Sequence, residues 1–265
     1  MSETADVVLF ETDSRGVATV TLNRPQVHNA FNDEVIARLA AIWSDLASRS
    51  DIRVVVLKGS GKSFSAGGDL DWMRKAGKAT PEQNRLSTLT LARMLKGLND
   101  LPQATLALVH GACMAGGTGL ASCADIVVAA QDAKFALTEV RLGLTPATIS
   151  PYVVAAIGPR QARRYFLTAE RFDAAEACRI GLVHETVTDE GALATRGLEV
   201  VAALLQGAPG AIHDSKRLVA RVAHAVVDEA LMEFTAQNIA DRRASAEGQE
   251  GLAAFFDKRK PNWSV

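Results

Sequence analysis

The chain has 265 residues, a formal net charge of −1 at pH 7, and 48% hydrophobic against 22% charged residues. That balance suits one large globular domain, or one domain with an appendage, with enough apolar residues for a sizeable core. It argues against polyanion binding as the main role, because neutralising phosphates takes a basic surface.

The first elements read as strands. "VVLFETDSRGVATVTLNRP" predicts a hairpin that turns near Asp13–Gly16 and stops at Pro25. A helix is expected from Asn32 or Asp33 to about Ser48, with Ile36, Leu39, Ala40, Trp43 and Leu46 on one face. "RVVVLKG" is a buried strand, and "KSFSAGGDLDWM" a loop entering a short helix. Pro81 opens another helix to about Leu101, followed by two more buried strands, "TLALVHG" and "DIVVAA". Strands alternating with helices predict an α/β fold. From Ala174 onward the chain turns helical apart from a short strand in "GLVHETV", with helices expected over about Asp189–Gln206, Ala211–Ala220, Val226–Arg243 and Glu247–Lys258. Aromatic residues make up only 5%, so Ala, Val and Leu must fill most of the core.

Several motifs fail on inspection. Thr105–Ala124 carries no formal charge and has membrane-spanning length, about 20 residues, but its glycines, hydroxyls and His110 favour a buried core segment. "GSGKSF" lacks the first glycine of a phosphate loop, since Val56 stands there. "GTGLAS" nearly matches a dinucleotide fingerprint, but Ser122 takes the third glycine position, and only about two helical turns fit before "DIVVAA". No G-x-S-x-G nucleophile is present, and the histidines are scattered without metal-ligand spacing. Cys113, Cys123 and Cys178 are odd in number and in no ligand pattern. With no basic-then-apolar leader in "MSETADVVLF", they point to a reducing cytoplasm.

Two glycine-rich loops remain, "SFSAGGDL" and "ACMAGGTGL", each after a buried strand and each before a helix. Unpaired N–H groups at a helix start favour negative charge. Two such loops side by side would aim two N–H donors at one point, which is an oxyanion hole. On spacing alone, the favoured reading is that the same small residues let strand and helix pack tightly.

The segments "NRPQVHNAF", "SFSAGGDLDWM", "VHGACMAGGTGLASCADIVVAA", "AKFALTEVRLGLTP" and "GLVHETV", in this order, resemble the crotonase family of enoyl-CoA hydratases and isomerases over nearly the whole chain. The resemblance implies a core of repeated β-β-α turns and a C-terminal helical region that builds a trimer or a dimer of trimers. The core would span 1–200 and the helical region 201–265. It also implies an acyl-CoA thioester as substrate and no separate cofactor, with the thioester oxygen held by the N–H groups of Ala66 and Gly116. Ala66, Gly67, Gly68 and Asp69 would line the substrate site, with Gly116 and Gly119. Arg24, Lys62, Lys258 and Lys260 are candidates for the CoA phosphate, the last two reaching a neighbouring subunit. Neither nucleic acid nor membrane is an expected partner.

In the hydratases of this family two glutamates flank the substrate. Glu139 in "LTEVRLGL" matches the second, and Gly119 stands where the first would be. Together with "LTPATISPYVVAAIG", this wording is similar to bacterial hydratases of branched, carboxylated enoyl-CoAs. The leading expectation is therefore hydration of methylglutaconyl-CoA in leucine degradation, with Glu139 as sole acid and base and Gly119 making room for the branched chain. A hydratase of carboxygeranoyl-CoA, a Δ3,Δ2-enoyl-CoA isomerase using Glu139 alone, and an inactive CoA-binding subunit are the alternatives.

Overall fold

The computed structural model describes residues 6–264. The chain opens with the expected hairpin, β1 (Val8–Thr12) antiparallel to β2 (Val17–Leu22). Its turn is tied by Asp13, whose Oδ1 accepts the N–H groups of Arg15 and Val17. Helix α1 (Asp33–Leu46) is capped by Asn32, which accepts the Val35 N–H, and it buries Ile36, Leu39, Trp43 and Leu46 as its spacing requires.

A pattern then recurs in which a long strand, a sharp turn and a short strand lead into a helix. The first round is β3 (Val54–Gly59), β4 (Ser63–Ser65), α2 (Leu70–Ala76) and α3 (Pro81–Asn99). The second is β5 (Ala104–Val109), β6 (Ala112–Met114) and α4 (Gly116–Ser122). The third is β7 (Ile126–Ala130), β8 (Lys134–Ala136), a 3-10 turn over Glu139–Leu142, and α5 (Ser150–Thr168). A last short strand, β9 (Phe172–Asp173), precedes α6 (Ala174–Arg179) and β10 (Glu185–Val187). The long strands join one sheet in the order β1-β2-β3-β5-β7-β10, and the short ones a second sheet, β4-β6-β8-β9.

Alternation along β3 and β5 explains their continuous burial. Val55, Leu57, Ala107 and Val109 face the core that contains α1, α3 and the short-strand sheet. Val54, Val56, Leu106 and Leu108 face the opposite way, onto α7 (Glu190–Leu204). The expected division at 200/201 therefore needs correction. It cuts through α7, whose Leu193, Val200 and Val201 belong to this second core layer, and the chain leaves the core only after Gly207.

The tail comprises α8 (Pro209–Val222), α9 (Glu229–Ala244) and α10 (Ala246–Phe256). The second of these begins three residues later than the expected start at Val226, because Asp228 accepts the Leu231 N–H and caps α9. Lys216 on α8 donates to Leu101 O and Gln103 O and pairs with Asp125 at 2.7 Å, which pins the tail to the N-terminal ends of β5 and β7. Two features escape the sequence reading. The short strands are two or three residues long, too short to show a period. Helix α5 is obscured by its internal Gly158-Pro159, where the backbone leaves helical geometry. The uncharged stretch Thr105–Ala124 is divided among β5, β6 and α4, and no helix is long and apolar enough to cross a membrane among the described residues.

Candidate active site

The two glycine-rich loops leave adjacent strands. Strand β4 pairs parallel with β6, Ser63 opposite Ala112 and Ser65 opposite Cys113, so both loops depart in one direction. They touch: a Cβ on Gly67 would lie 2.8 Å from Met114 O and 3.2 Å from Gly116 N. Gly67 has φ +89°, a conformation that disfavours any side chain, so glycine is required twice over at this position.

Hydrogen-bond accounting shows which N–H groups in these loops are free. The Ala66 N–H donates to His28 O at 2.9 Å. Ala66 therefore cannot be the expected oxyanion donor; its N–H ties the loop to the segment after Pro25. The Gly67 N–H donates to Ser65 Oγ at 3.2 Å, and Gly67 O accepts the Phe31 N–H at 2.7 Å. A trans peptide places its N–H opposite its C=O. Pinning Gly67 O on Phe31 thus turns the Gly68 N–H the other way, where it meets no partner among the described residues. Gly67 is accordingly a shaping residue rather than a substrate ligand, and Gly68 replaces Ala66 as the free donor of this loop.

The second loop reaches the same result differently. Ala115, at φ 46° and ψ −113°, precedes α4 in a conformation costly for a residue with a Cβ. Its N–H donates to Ala136 O at 2.7 Å and its carbonyl accepts the Gly119 N–H at 3.0 Å. The Gly116 N–H, first of the helix, therefore points out of α4 and has no partner among the described residues.

Glu139 opens the 3-10 turn after β8, three residues beyond the Ala136 that holds Ala115. Its carboxyl is half-buried, and Oε2 is buried with no hydrogen-bond partner. Burial pushes its pKa above the ordinary glutamate value, opposed only by its own backbone N–H. A carboxyl in that state is poised to take up and return a proton.

The remaining expected site residues divide sharply. Asp69 caps α2, accepting the Asp71 and Trp72 N–H groups, and pairs with Arg24 at 3.0 Å. Burial raises its pKa, but the Trp72 N–H, Arg24 and the Asp71 N–H together hold it below the usual range. Arg24, which also donates to Ala30 O, is spent on this pair, so neither residue is a free ligand for substrate or phosphate. Lys62 is exposed on the turn into β4, at the rim of the loops. Lys258 and Lys260 belong to the far end of the molecule. There Trp263 O accepts from Arg53, directly before β3, and a six-residue strand such as β3 spans about 20 Å. Within one protomer these two lysines are not brought to the loops.

Gly119 needs the largest correction. A Cβ there would stand 2.1 Å from Ile149 Cγ2 and 2.5 Å from Ile149 Cβ. The space left by the missing side chain is filled by Ile149, so it gives no room to a substrate branch. Sequence reasoning missed Ile149 and Phe31, which act across a long sequence separation, and Ser65, whose hydroxyl donates to Asn29 O at 2.9 Å while accepting the Gly67 N–H. The buried Asn29 could have been suspected from "NRPQVHNAF"; its side chain holds Ser60 O, Ser63 O and the Arg24 N–H, bracing the first loop from below.

Residues 12–265 match the family model described as enoyl-CoA hydratase/isomerase. The crystal structure of an enoyl-CoA hydratase from Shewanella pealeana superposes with a TM-score of 0.94 at 40% identity, covering 98% of this chain and 97% of that one. The short-chain-enoyl-CoA hydratase of Clostridium acetobutylicum is 30% identical over 96% of this chain and 95% of its own length. The mitochondrial Δ(3,5)-Δ(2,4)-dienoyl-CoA isomerase of Dictyostelium discoideum is 30% identical over 96% of this chain and 89% of its own.

Proposed function

The chain belongs to the enoyl-CoA hydratase/isomerase family, and on that premise we propose that it adds water across the α,β double bond of an enoyl-CoA thioester with a single carboxylate. The observation that carries this reading is the half-buried Glu139, its Oε2 unpartnered, three residues after the Ala136 carbonyl that anchors the second of two touching loops, each of which leaves one N–H free. The thioester oxygen accepts from Gly68 and Gly116 N–H. Glu139 takes a proton from water as the oxygen bonds to Cβ. The π electrons shift onto the thioester as an enolate, and Glu139 returns a proton to Cα. The double bond and one O–H bond break; a C–O and a C–H bond form.

The substrate to test first is 3-methylglutaconyl-CoA, a step of leucine degradation, with carboxygeranoyl-CoA next. This choice rests on the sequence wording after Glu139, since Gly119 supplies no extra room. Self-association as a trimer or dimer of trimers belongs to the same proposal, supported by exposed Phe255 and Phe256 on α10. So does a cytoplasmic location, supported by three free thiols.

One observation favours a second reading. Ile149 puts an apolar side chain where a water-activating carboxylate would stand, and a Δ3,Δ2-isomerase needs only one proton carrier. Reaction in ¹⁸O-water separates the two. Hydration yields labelled 3-hydroxy-3-methylglutaryl-CoA, absent with Glu139→Gln. Unlabelled double-bond migration across a panel of enoyl-CoAs, without any hydrated product, overturns the hydratase reading.

A further inference from the structure

The segment that carries Glu139 is clamped to α4 at two points on either side of Gly116. Before Glu139, Ala136 O accepts the Ala115 N–H at 2.7 Å. After it, Ile149 is wedged into the notch at Gly119, one helical turn beyond Gly116. Between these clamps the chain is tied mainly to itself. Gly143 N–H donates to Val140 O, and Leu144 N–H to Glu139 O, while the Leu142 and Leu144 side chains are 60% and 54% exposed. Ile149, 3% exposed, returns the segment to the core, and its carbonyl accepts the Tyr152 and Val153 N–H groups that start α5.

We propose that Ile149 is a positioning residue for Glu139: its side chain, seated in the space of the missing side chain at 119, fixes where the segment carrying Glu139 rests against α4. This rests on the reading that Glu139 carries the proton. The contact is too close for any Cβ at 119, so the glycine and the isoleucine act as one joint. Its fit decides where the returning segment of the loop, and with it Glu139, comes to rest. Misplacing a reacting group by an ångström costs on the order of 10²-fold in rate. The wedge is also apolar, so this face of α4 offers water no polar partner and leaves Glu139 desolvated.

The test uses Ile149→Val and Ile149→Ala in the full chain. The readouts are exchange of the α-protons of butyryl-CoA in D2O, followed by NMR at saturation, and the butyryl-CoA Kd by calorimetry. Exchange depends on Glu139 and the free N–H groups but not on which enoyl chain is the natural one. We expect exchange to fall stepwise, to about 100-fold in Ile149→Ala, with Kd within about twofold of wild type. The acid limb of the pH profile should move to lower pH, because water admitted beside Glu139 removes the burial that raises its pKa. A folded Ile149→Ala that exchanges at the wild-type rate overturns the proposal, as does a loss that merely tracks the unfolded fraction. If the alanine variant does not fold, Ile149→Val is judged by the same two criteria. Glu139→Gln separates the two levels. A wild-type enzyme with no exchange, or a Glu139→Gln variant with full exchange, overturns the functional reading and this inference together. A dead Glu139→Gln beside an unaffected Ile149→Ala overturns the inference alone.

Discussion

The two glycine-rich loops present one free N–H each, yet by different devices. In the first, Gly67 bends the chain at φ +89°, and the neighbouring segment consumes the other groups: His28 O takes the Ala66 N–H and the Phe31 N–H takes Gly67 O. In the second, a non-glycine residue, Ala115, adopts the unfavourable conformation, and the start of α4 does the rest. One donor is made by exhausting its neighbours and the other by the geometry of a helix end. Being a glycine therefore does not by itself mark a free donor: Gly67 shapes the loop, and the free N–H is that of Gly68.

The severest break of both devices is to remove what they serve. Glu139→Gln should lower turnover by about 10²–10⁴. In the wild type, the acid limb should lie above the ordinary glutamate range, because burial raises the pKa and the base must be ionised. An acid limb at or below that range would contradict the burial argument. The same raised pKa means that the folded state holds its proton longer than the unfolded chain. The contribution of Glu139 to stability is thus greatest below the unfolded pKa and is lost as pH rises through the folded one.

Removing one donor should cost somewhat less. Gly68→Pro and Gly116→Pro each delete a free N–H, and loss of such a donor costs about 10²–10³ in kcat. Each variant needs a melting curve to show that it is folded. Full activity in a folded Gly68→Pro would return the assignment of the first donor to question. Gly67→Ala tests shaping against donation. It keeps every N–H, but its Cβ would lie 2.8 Å from Met114 O at a positive φ. The expected loss is about 1–3 kcal/mol of stability, read by denaturant unfolding.

The smallest effect should come from the thiols that flank α4. Cys113 and Cys123 are buried, and burial pushes both thiols far up, away from the reactive thiolate. Cys113→Ala and Cys123→Ala should retain turnover per folded molecule. A folded variant that binds acyl-CoA but does no chemistry would show that the second loop uses sulfur after all.

Much of this molecule was legible in its sequence. The alternation along β3 and β5, the cap at Asn32 and the proline at 81 are local quantities, and they put strands and helices nearly where they stand. Glu139 and Gly116 stand out only through the resemblance to the family, since neither pattern nor spacing marks them. The short-strand sheet was not legible, because strands of two or three residues carry no period and are held by their neighbours.

What remained hidden is non-local by nature. Whether an N–H is free depends on whether an acceptor arrives from elsewhere in the chain. For Ala66 that acceptor is His28 O, and for the peptide before Gly68 the orienting partner is Phe31; both come from the far side of α1 and β3. Likewise a missing side chain at 119 reads as open space in the sequence, but the fold delivers Ile149 into it from 30 positions away. Propensity and pattern are properties of neighbours in the chain, whereas satisfaction and occupancy are properties of neighbours in space.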